Sequence, residues 1–146
     1  MDSERRISLG TERVLAHVEG AIGWIVFNNP ARRNAMSLDM WEALGTAVDR
    51  MTQDDAVRVI VLRGTGGAAF VAGADISQFE AQRSSPETVA AYDAVADRSS
   101  IALERTPKPT VAMIEGFCIG GGVGIAVSCD LRVAASDAKF GIPAAR

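Results

Sequence analysis

The chain has 146 residues, 48% hydrophobic and 23% charged, and a formal net charge of −3. That composition supports one packed core and excludes a disordered chain, and the slight acidity leaves neither a basic stripe for nucleic acid nor a polybasic patch for a membrane surface. Apolar runs such as Val59 to Leu62 are far short of a membrane span, and Met1 to Arg6 lacks a signal-peptide core, so a cytoplasmic protein is expected.

Arg13 to Val18 and Ile22 to Asn28 both alternate, with Val14, Ala16 and Val18 on one face and Ile22, Trp24 and Val26 on one face, split by Glu19-Gly20-Ala21. This pattern predicts a β-hairpin. Ser37 is placed to cap a helix whose apolar residues Trp41, Leu44, Val48 and Met51 recur at helical spacing before Asp54-Asp55. The nearly continuous, β-branched run Val57 to Leu62 reads as a strand covered on both faces, hence a buried parallel sheet. A Gly/Ala-rich turn, Phe70-Val71-Ala72-Gly73-Ala74-Asp75-Ile76, then leads into a short helical stretch, Ile76 to Gln82. Ser85 as cap and Pro86 at the first position open a second helix with a buried stripe of Val89, Tyr92, Ala96 and Leu103, ended by Lys108-Pro109. Thr110 to Ile114 restarts a strand that feeds a second glycine turn, Ile119 to Gly124. A small-residue helix, Val123 to Cys129, and a last strand pair, Leu131 to Ala134 with Lys139 to Ile142, follow. Strands alternating with helices over short connections argue an α/β fold, with no linker or internal repeat dividing residues 1–146.

The two glycine turns carry the functional signal. Small residues let backbone N–H groups approach a ligand, and a free N–H at a helix start, reinforced by the helix dipole, suits an oxygen bearing negative charge. Two such donors aimed at one oxygen would form an oxyanion hole, whereas the alternative reading of each turn is a packing device. Other chemistry is sparse. Cys118 and Cys129 have neither metal-ligand spacing nor disulfide density and read as small buried thiols, and the single histidine, His17, belongs to the first hairpin. No residue cluster implies a metal or a redox cofactor.

Four landmarks in order, Asn29 to Met36, Phe70 to Ile76, Gly116 to Gly122, and Cys129-Asp130-Leu131-Arg132 followed by Phe140-Gly141-Ile142-Pro143, resemble the enoyl-CoA hydratase/isomerase (crotonase) family. The resemblance covers nearly the whole chain and implies a spiral of strand-strand-helix units that binds acyl-CoA thioesters. CoA would enter only as part of the substrate. By the same resemblance, the thioester carbonyl would lie between the backbone N–H groups of Ala74 and Gly121. Ala72, Gly73, Asp75 and Ile76 would flank the adenine and pantetheine, with Ala35 nearby. Arg32 is a candidate for a CoA phosphate, with a solvated loop charge as the alternative for both Arg32 and Arg33. Phe117 and Pro143 would wall the acyl pocket beside Gly120.

The chain departs from the family pattern at the positions where hydratases carry two glutamates, here Gly124 and Ala144. Neither residue can orient water or move a proton. Gly124 would instead leave room for a bulkier acyl group, or else serve tight helix packing. Tyr92, Glu80 and Asp93 are considered as substitutes over the acyl pocket, although surface or packing roles are the default, and Glu115 and Asp130 are expected to make structural hydrogen bonds. Family members also continue for another hundred or so residues, so the chain is expected to be incomplete relative to them, and the complete protein to be a homotrimer or a dimer of trimers. The expectation is a crotonase-family enzyme, nominally an enoyl-CoA hydratase/isomerase. The rival readings are an acyl-CoA decarboxylase or hydrolase of the same family and a non-catalytic acyl-CoA binding protein.

Overall fold

A computed structural model of the chain describes residues 4–75 and 85–143. The expected helical stretch from Ile76 to Gln82, with Glu80, and the position of Ala144 lie outside the described residues.

The predicted hairpin forms as β2 (Val14–Glu19) and β3 (Ile22–Phe27), preceded by a three-residue edge strand, β1 (Arg5–Ile7). Nothing in the charged Arg5-Arg6 pair signals that strand; it forms because β2 offers a free edge, pairing Arg6 with His17. The tight turn sets Glu19 opposite Ile22, which puts Ala16 opposite Ile25 and Val14 opposite Phe27. Opposed residues share a face, so the core side of β3 is Gly23, Ile25 and Phe27, and not the set Ile22, Trp24 and Val26. Trp24 lies on the other side with the Arg63 guanidinium 5.5 Å from its ring centroid and His17 stacked beside it.

Helix α1 (Leu38–Gln53) buries Met40, Trp41, Leu44, Ala47, Val48 and Met51 along one stripe. Ser37 occupies its N-cap, but the hydroxyl donates to the Asp39 carboxylate and caps no backbone N–H. At the far end the Lys108 ammonium donates to the carbonyls of Met51 and Asp54, satisfying acceptors that the helix leaves open. Strand β4 (Val59–Gly64) then pairs parallel with β3, as the β-branched run predicts.

Beyond β3 successive strands alternate between two sheets. β4, β6 (Thr110–Ile114) and β8 (Leu131–Ala134) extend a six-stranded sheet of order β1-β2-β3-β4-β6-β8, while β5 (Ala69–Ala72), β7 (Phe117–Ile119) and β9 (Lys139–Gly141) form a three-stranded parallel sheet. The chain therefore climbs in turns, each giving one strand to each sheet. Helix α2 (Pro86–Arg105) follows β5 after the undescribed residues, and α3 (Gly121–Ser128) follows β7. The expected pairing of the last two strands is thus incorrect: β8 pairs with β6 and β9 with β7. The intervening corner binds Ala135 N–H to the Ile114 carbonyl and Lys139 N–H to the Gly116 carbonyl, which carries the chain across between the sheets.

Phe27 and Phe70 meet edge to face at 5.4 Å and join the two sheets through the core. Helix α2 begins as expected, with Ser85 Oγ accepting the Thr88 N–H. Its buried residues are Val95, Ser99 and Leu103, while Val89 is exposed, because α2 lies against α1 along the register that sets Ser99 opposite Gly45.

Candidate active site

The first turn is built by the loop from Asn29 to Ser37. Arg33 and Asn34 both adopt positive φ, 51° and 58°. Asn34 is fully buried; its side chain accepts the Asn29 N–H at 2.7 Å and donates to the Ala69 carbonyl at 2.9 Å and the Thr65 carbonyl at 3.3 Å. One amide thereby fastens the loop to the start of β5. An asparagine between two hydrophobic elements, able to take a left-handed conformation and bond backbone on both sides, was a readable signal for this role.

Beyond Asn34 the loop runs beside the end of β5. Ala72 N–H bonds the Arg33 carbonyl at 3.1 Å, Met36 N–H bonds the Gly73 carbonyl at 2.9 Å, and Asp75 N–H bonds the Met36 carbonyl at 2.9 Å. These bonds form a parallel bridge between Met36 and Ala74 that uses the groups on either side of Ala74. In such a bridge the central residue's own N–H points away from the partner. Ala74 is exposed, and its N–H bonds no backbone carbonyl among the described residues.

The second turn joins β7 to α3. Gly120 has φ 57° and ψ −111°, a combination that side-chain-bearing residues avoid. Its N–H bonds the Gly141 carbonyl of β9 at 2.9 Å, and its carbonyl accepts the Gly124 N–H to begin the helix. Gly121 is the first helical residue, so its N–H has no intrahelical acceptor. At the helix C-terminus the Arg132 guanidinium donates to the carbonyls of Ala126 and Cys129, placing a cation where the dipole favours one.

The two turns touch. A Cβ on Gly120 would lie 3.7 Å from Gly73 Cα and 3.8 Å from Pro143 Cδ, and one on Gly121 would lie 3.7 Å from the Gly73 carbonyl oxygen. Gly122 backs directly onto β5, where a Cβ would come within 2.1 Å of the Val71 carbonyl oxygen. Packing and donor presentation are therefore two uses of the same segment: Gly122 allows the close approach, and Gly121 presents the N–H.

Ala31, Arg32, Arg33, Ala35, Ala72, Ala74 and Asp75 line an open cleft of about 430 Å³ beside the first turn. Arg32, Ala35, Ala72 and Asp75 are thus brought together with Ala74, while Ile76 lies outside the described residues. Arg32 reaches the buried Asp75 carboxylate at 4.0 Å and keeps more than half of its side chain exposed. Phe117 begins β7 at the end remote from Gly120; the Arg33 guanidinium sits 4.9 Å from its ring centroid and the Lys139 ammonium 5.9 Å. Gly124 is exposed, and no described atom lies within 4 Å of where its Cβ would be, so no described neighbour requires a glycine there.

The remaining candidates have other employment. Asp130 accepts the Thr110 N–H and hydroxyl at 2.9 and 3.3 Å, pinning the start of β6 to the end of α3 as expected of a structural carboxylate. Glu115 is exposed. His17 lies on β2 against Trp24, in the first hairpin. Burial pushes the thiols of Cys118 and Cys129 up to about 11, which leaves them protonated and inert near neutrality. Among the described residues no histidine, cysteine and carboxylate cluster could hold a metal ion, and no helix is long and apolar enough to cross a membrane.

Residues 22–146 match the family model for enoyl-CoA hydratase/isomerase. The chain belongs to that family. It is 34% identical over 132 residues to a crotonyl-CoA hydratase of Syntrophomonas wolfei and 33% identical over 130 residues to a short-chain-enoyl-CoA hydratase of Clostridium acetobutylicum. Those matches take in 90% and 89% of this chain but 50% and 49% of the two relatives, so this crotonase-family chain spans about half their length. The crystal structure of an enoyl-CoA hydratase/carnithine racemase from Magnetospirillum magneticum superposes with a TM-score of 0.85 at 38% identity, covering 92% of this chain and 50% of that one. The crotonase spiral expected from the landmarks is the observed fold.

Proposed function

We propose that this chain contributes the carbonyl-polarising half of an acyl-CoA enzyme, with the thioester oxygen held between the Ala74 and Gly121 N–H groups. The observation that carries the reading is the contact between two turns that each leave one backbone N–H without a backbone acceptor among the described residues. Drawing charge onto the carbonyl oxygen makes the adjacent carbon acidic and a conjugated double bond electrophilic through a shared enolate-like state. A preorganised donor of this kind is worth about 2.7–4 kcal/mol of transition-state stabilisation. The cleft beside Ala74 then takes the CoA portion, with Arg32 toward a phosphate and Asp75 ordering the loop.

The acid and base are the open part of the chemistry. Hydration needs a group to deprotonate water and one to deliver a proton, each contributing about 10²–10⁴-fold, and the positions that carry glutamate in family hydratases are Gly124 and Ala144 here. Because Gly124 carries no carboxylate, a second reading has the substrate itself supply the enolate electrons. In decarboxylation of a malonyl-type thioester, the C–C bond to the carboxylate breaks, CO₂ leaves, and its electron pair becomes the enolate that the two N–H groups stabilise. The same polarised carbonyl would serve thioester hydrolysis given a positioned water, and with no acid or base at all the chain would bind a thioester without turnover. The resemblance extends the proposal to a cytoplasmic homotrimer or dimer of trimers.

The test is incubation of the full-length protein with crotonyl-CoA and, separately, methylmalonyl-CoA, following enoyl-thioester absorbance and product masses. Hydration of crotonyl-CoA at an enzyme-like rate would assign the acid and base to residues other than 124 and 144. Decarboxylation supports the second reading, thioester-dependent thermal stabilisation without turnover supports a binding protein, and no binding of any CoA thioester overturns the proposal.

A further inference from the structure

The Met36 carbonyl, which fixes the Asp75 N–H and so one side of Ala74, accepts a second hydrogen bond, from the Tyr92 hydroxyl at 2.7 Å. The same hydroxyl accepts the Trp41 Nε1–H at 2.7 Å. An indole N–H can only donate and a carbonyl can only accept, so between these two partners the tyrosine accepts from Trp41 and donates to Met36. Trp41 is buried in α1, and its Cζ2 is 3.5 Å from where a Cβ on Gly121 would stand. One indole therefore braces the second donor turn with its ring while its N–H orders the hydroxyl that holds the first.

We propose that Trp41 and Tyr92 form a positioning pair that sets the relative direction of the Ala74 and Gly121 N–H groups. The pair rests on the reading of those N–H groups as an oxyanion hole. Tyr92 acts here as a positioning residue, through the bond its hydroxyl donates to the Met36 carbonyl. Burial pushes its phenol above the ordinary value, with Asp93 and Asp75 adding to the rise and the Trp41 bond opposing it. The consequence is mechanical. Without the hydroxyl, the Met36 carbonyl loses a donor that acts together with the Asp75 N–H, and the Met36–Ala74 bridge gains freedom to rotate. Misplacement of a donor by about an ångström can cost on the order of a hundredfold in rate.

The test uses full-length protein and a p-dimethylaminocinnamoyl-CoA probe, a push-pull thioester whose absorption moves to longer wavelength as its carbonyl is polarised. Tyr92→Phe should bind it within about threefold of the parent affinity yet lose at least half of the red shift, since ground-state binding through CoA is retained while carbonyl alignment is not. Trp41→Phe should do the same and carries the test if Tyr92→Phe fails to fold. Thr52→Val is the control: its hydroxyl, 11 residues along α1 from Trp41, meets that of Thr106 at the C-terminal cap of α2. It should lower the melting temperature and leave the red shift intact. Full red shift in both Tyr92→Phe and Trp41→Phe, or an equal loss in Thr52→Val, overturns the positioning role while leaving the oxyanion hole standing. A parent protein that binds the probe without any red shift overturns both.

Discussion

Gly122→Ala isolates the packing that brings the two donor turns together. The added methyl would stand 2.1 Å from the Val71 carbonyl oxygen and 3.0 Å from its carbon. That is more than an ångström inside the roughly 3.3 Å of the closest ordinary carbon–oxygen approaches. The obstacle is backbone of a buried strand and cannot swing aside, so α3 must retreat from β5. Overpacking of this kind costs about 2–3 kcal/mol, and at roughly 3–4 °C per kcal/mol for a chain of this size the melting temperature should fall by roughly 6–12 °C. Because Gly121 rides on the same helix, its N–H moves relative to Ala74, and under the proposed oxyanion-hole reading the red shift of a bound chromophoric thioester should shrink. Gly124→Ala on the same helix meets no described atom within 4 Å and removes a helical glycine, so it should raise stability by about 0.5–1 kcal/mol. The assay is a pair of thermal melts with a titration of the chromophoric thioester. Equal melting temperatures for Gly122→Ala and the parent would refute the close approach of α3 to β5 on which the site geometry depends.

Asn34→Ala leaves the Ala69 carbonyl and the Asn29 N–H without their side-chain partner and should destabilise by about 3 kcal/mol in urea unfolding; a change below about 1 kcal/mol would mean that the loop is held elsewhere. Cys118 and Cys129, pushed up to about 11, should resist a thiol reagent at pH 8 until the protein unfolds, and rapid stoichiometric labelling of the native chain would contradict their burial. Burial draws the Asp39 carboxyl upward, but bonds from Ser37, Thr11 and its own backbone N–H, with the charge of Arg13, outweigh it and hold the group below 3.8. Its contribution is therefore fully present above the unfolded value and is lost as pH falls through the lower folded value. Asp39→Asn, in the first turn of α1, should cost about 1 kcal/mol at pH 7 and nothing once the pH is below both values; a gap independent of pH in melts from pH 7 to pH 2 would refute the assignment.

The large sheet was legible where its signal is local. The hairpin, α1, β4, β6 and the Ser85-Pro86 start of α2 all announce themselves through periodicity or capping chemistry. Strands β5 and β7 did not, because at four and three residues they are too short for alternation to register, and they sit inside segments whose glycines read as turns. The face of β3 was also hidden: Ile22, Trp24 and Val26 are as apolar as Ile25 and Phe27, and only the register fixed by the Gly20-Ala21 turn decides between them. For the candidate site, the two glycine turns were readable from the sequence, but how they are held against each other was not. It depends on the Asn34 amide, the Met36 carbonyl and the Tyr92 hydroxyl, whose bonds to Ala69, Asp75 and Met36 span 35, 39 and 56 residues. No local pattern marks a carbonyl as the anchor of a distant donor.

That long-range construction bears on how the proposed donors relate to position 124. In the proposed oxyanion hole Ala74 and Gly121 would act through main-chain N–H groups, so a side-chain change there would leave the donor in place and act only through backbone geometry. The geometry in turn depends on Gly120, Gly122 and Asn34, whose replacement strains or clashes with backbone. Position 124 has no such constraint: it faces open space, and a side chain placed there disturbs nothing described in the fold. Among the described residues, a side chain at that position would meet no neighbour. On this physical footing, the proposed carbonyl polarisation belongs to the fold, whereas the reaction that follows it belongs to the few side chains added around the acyl group.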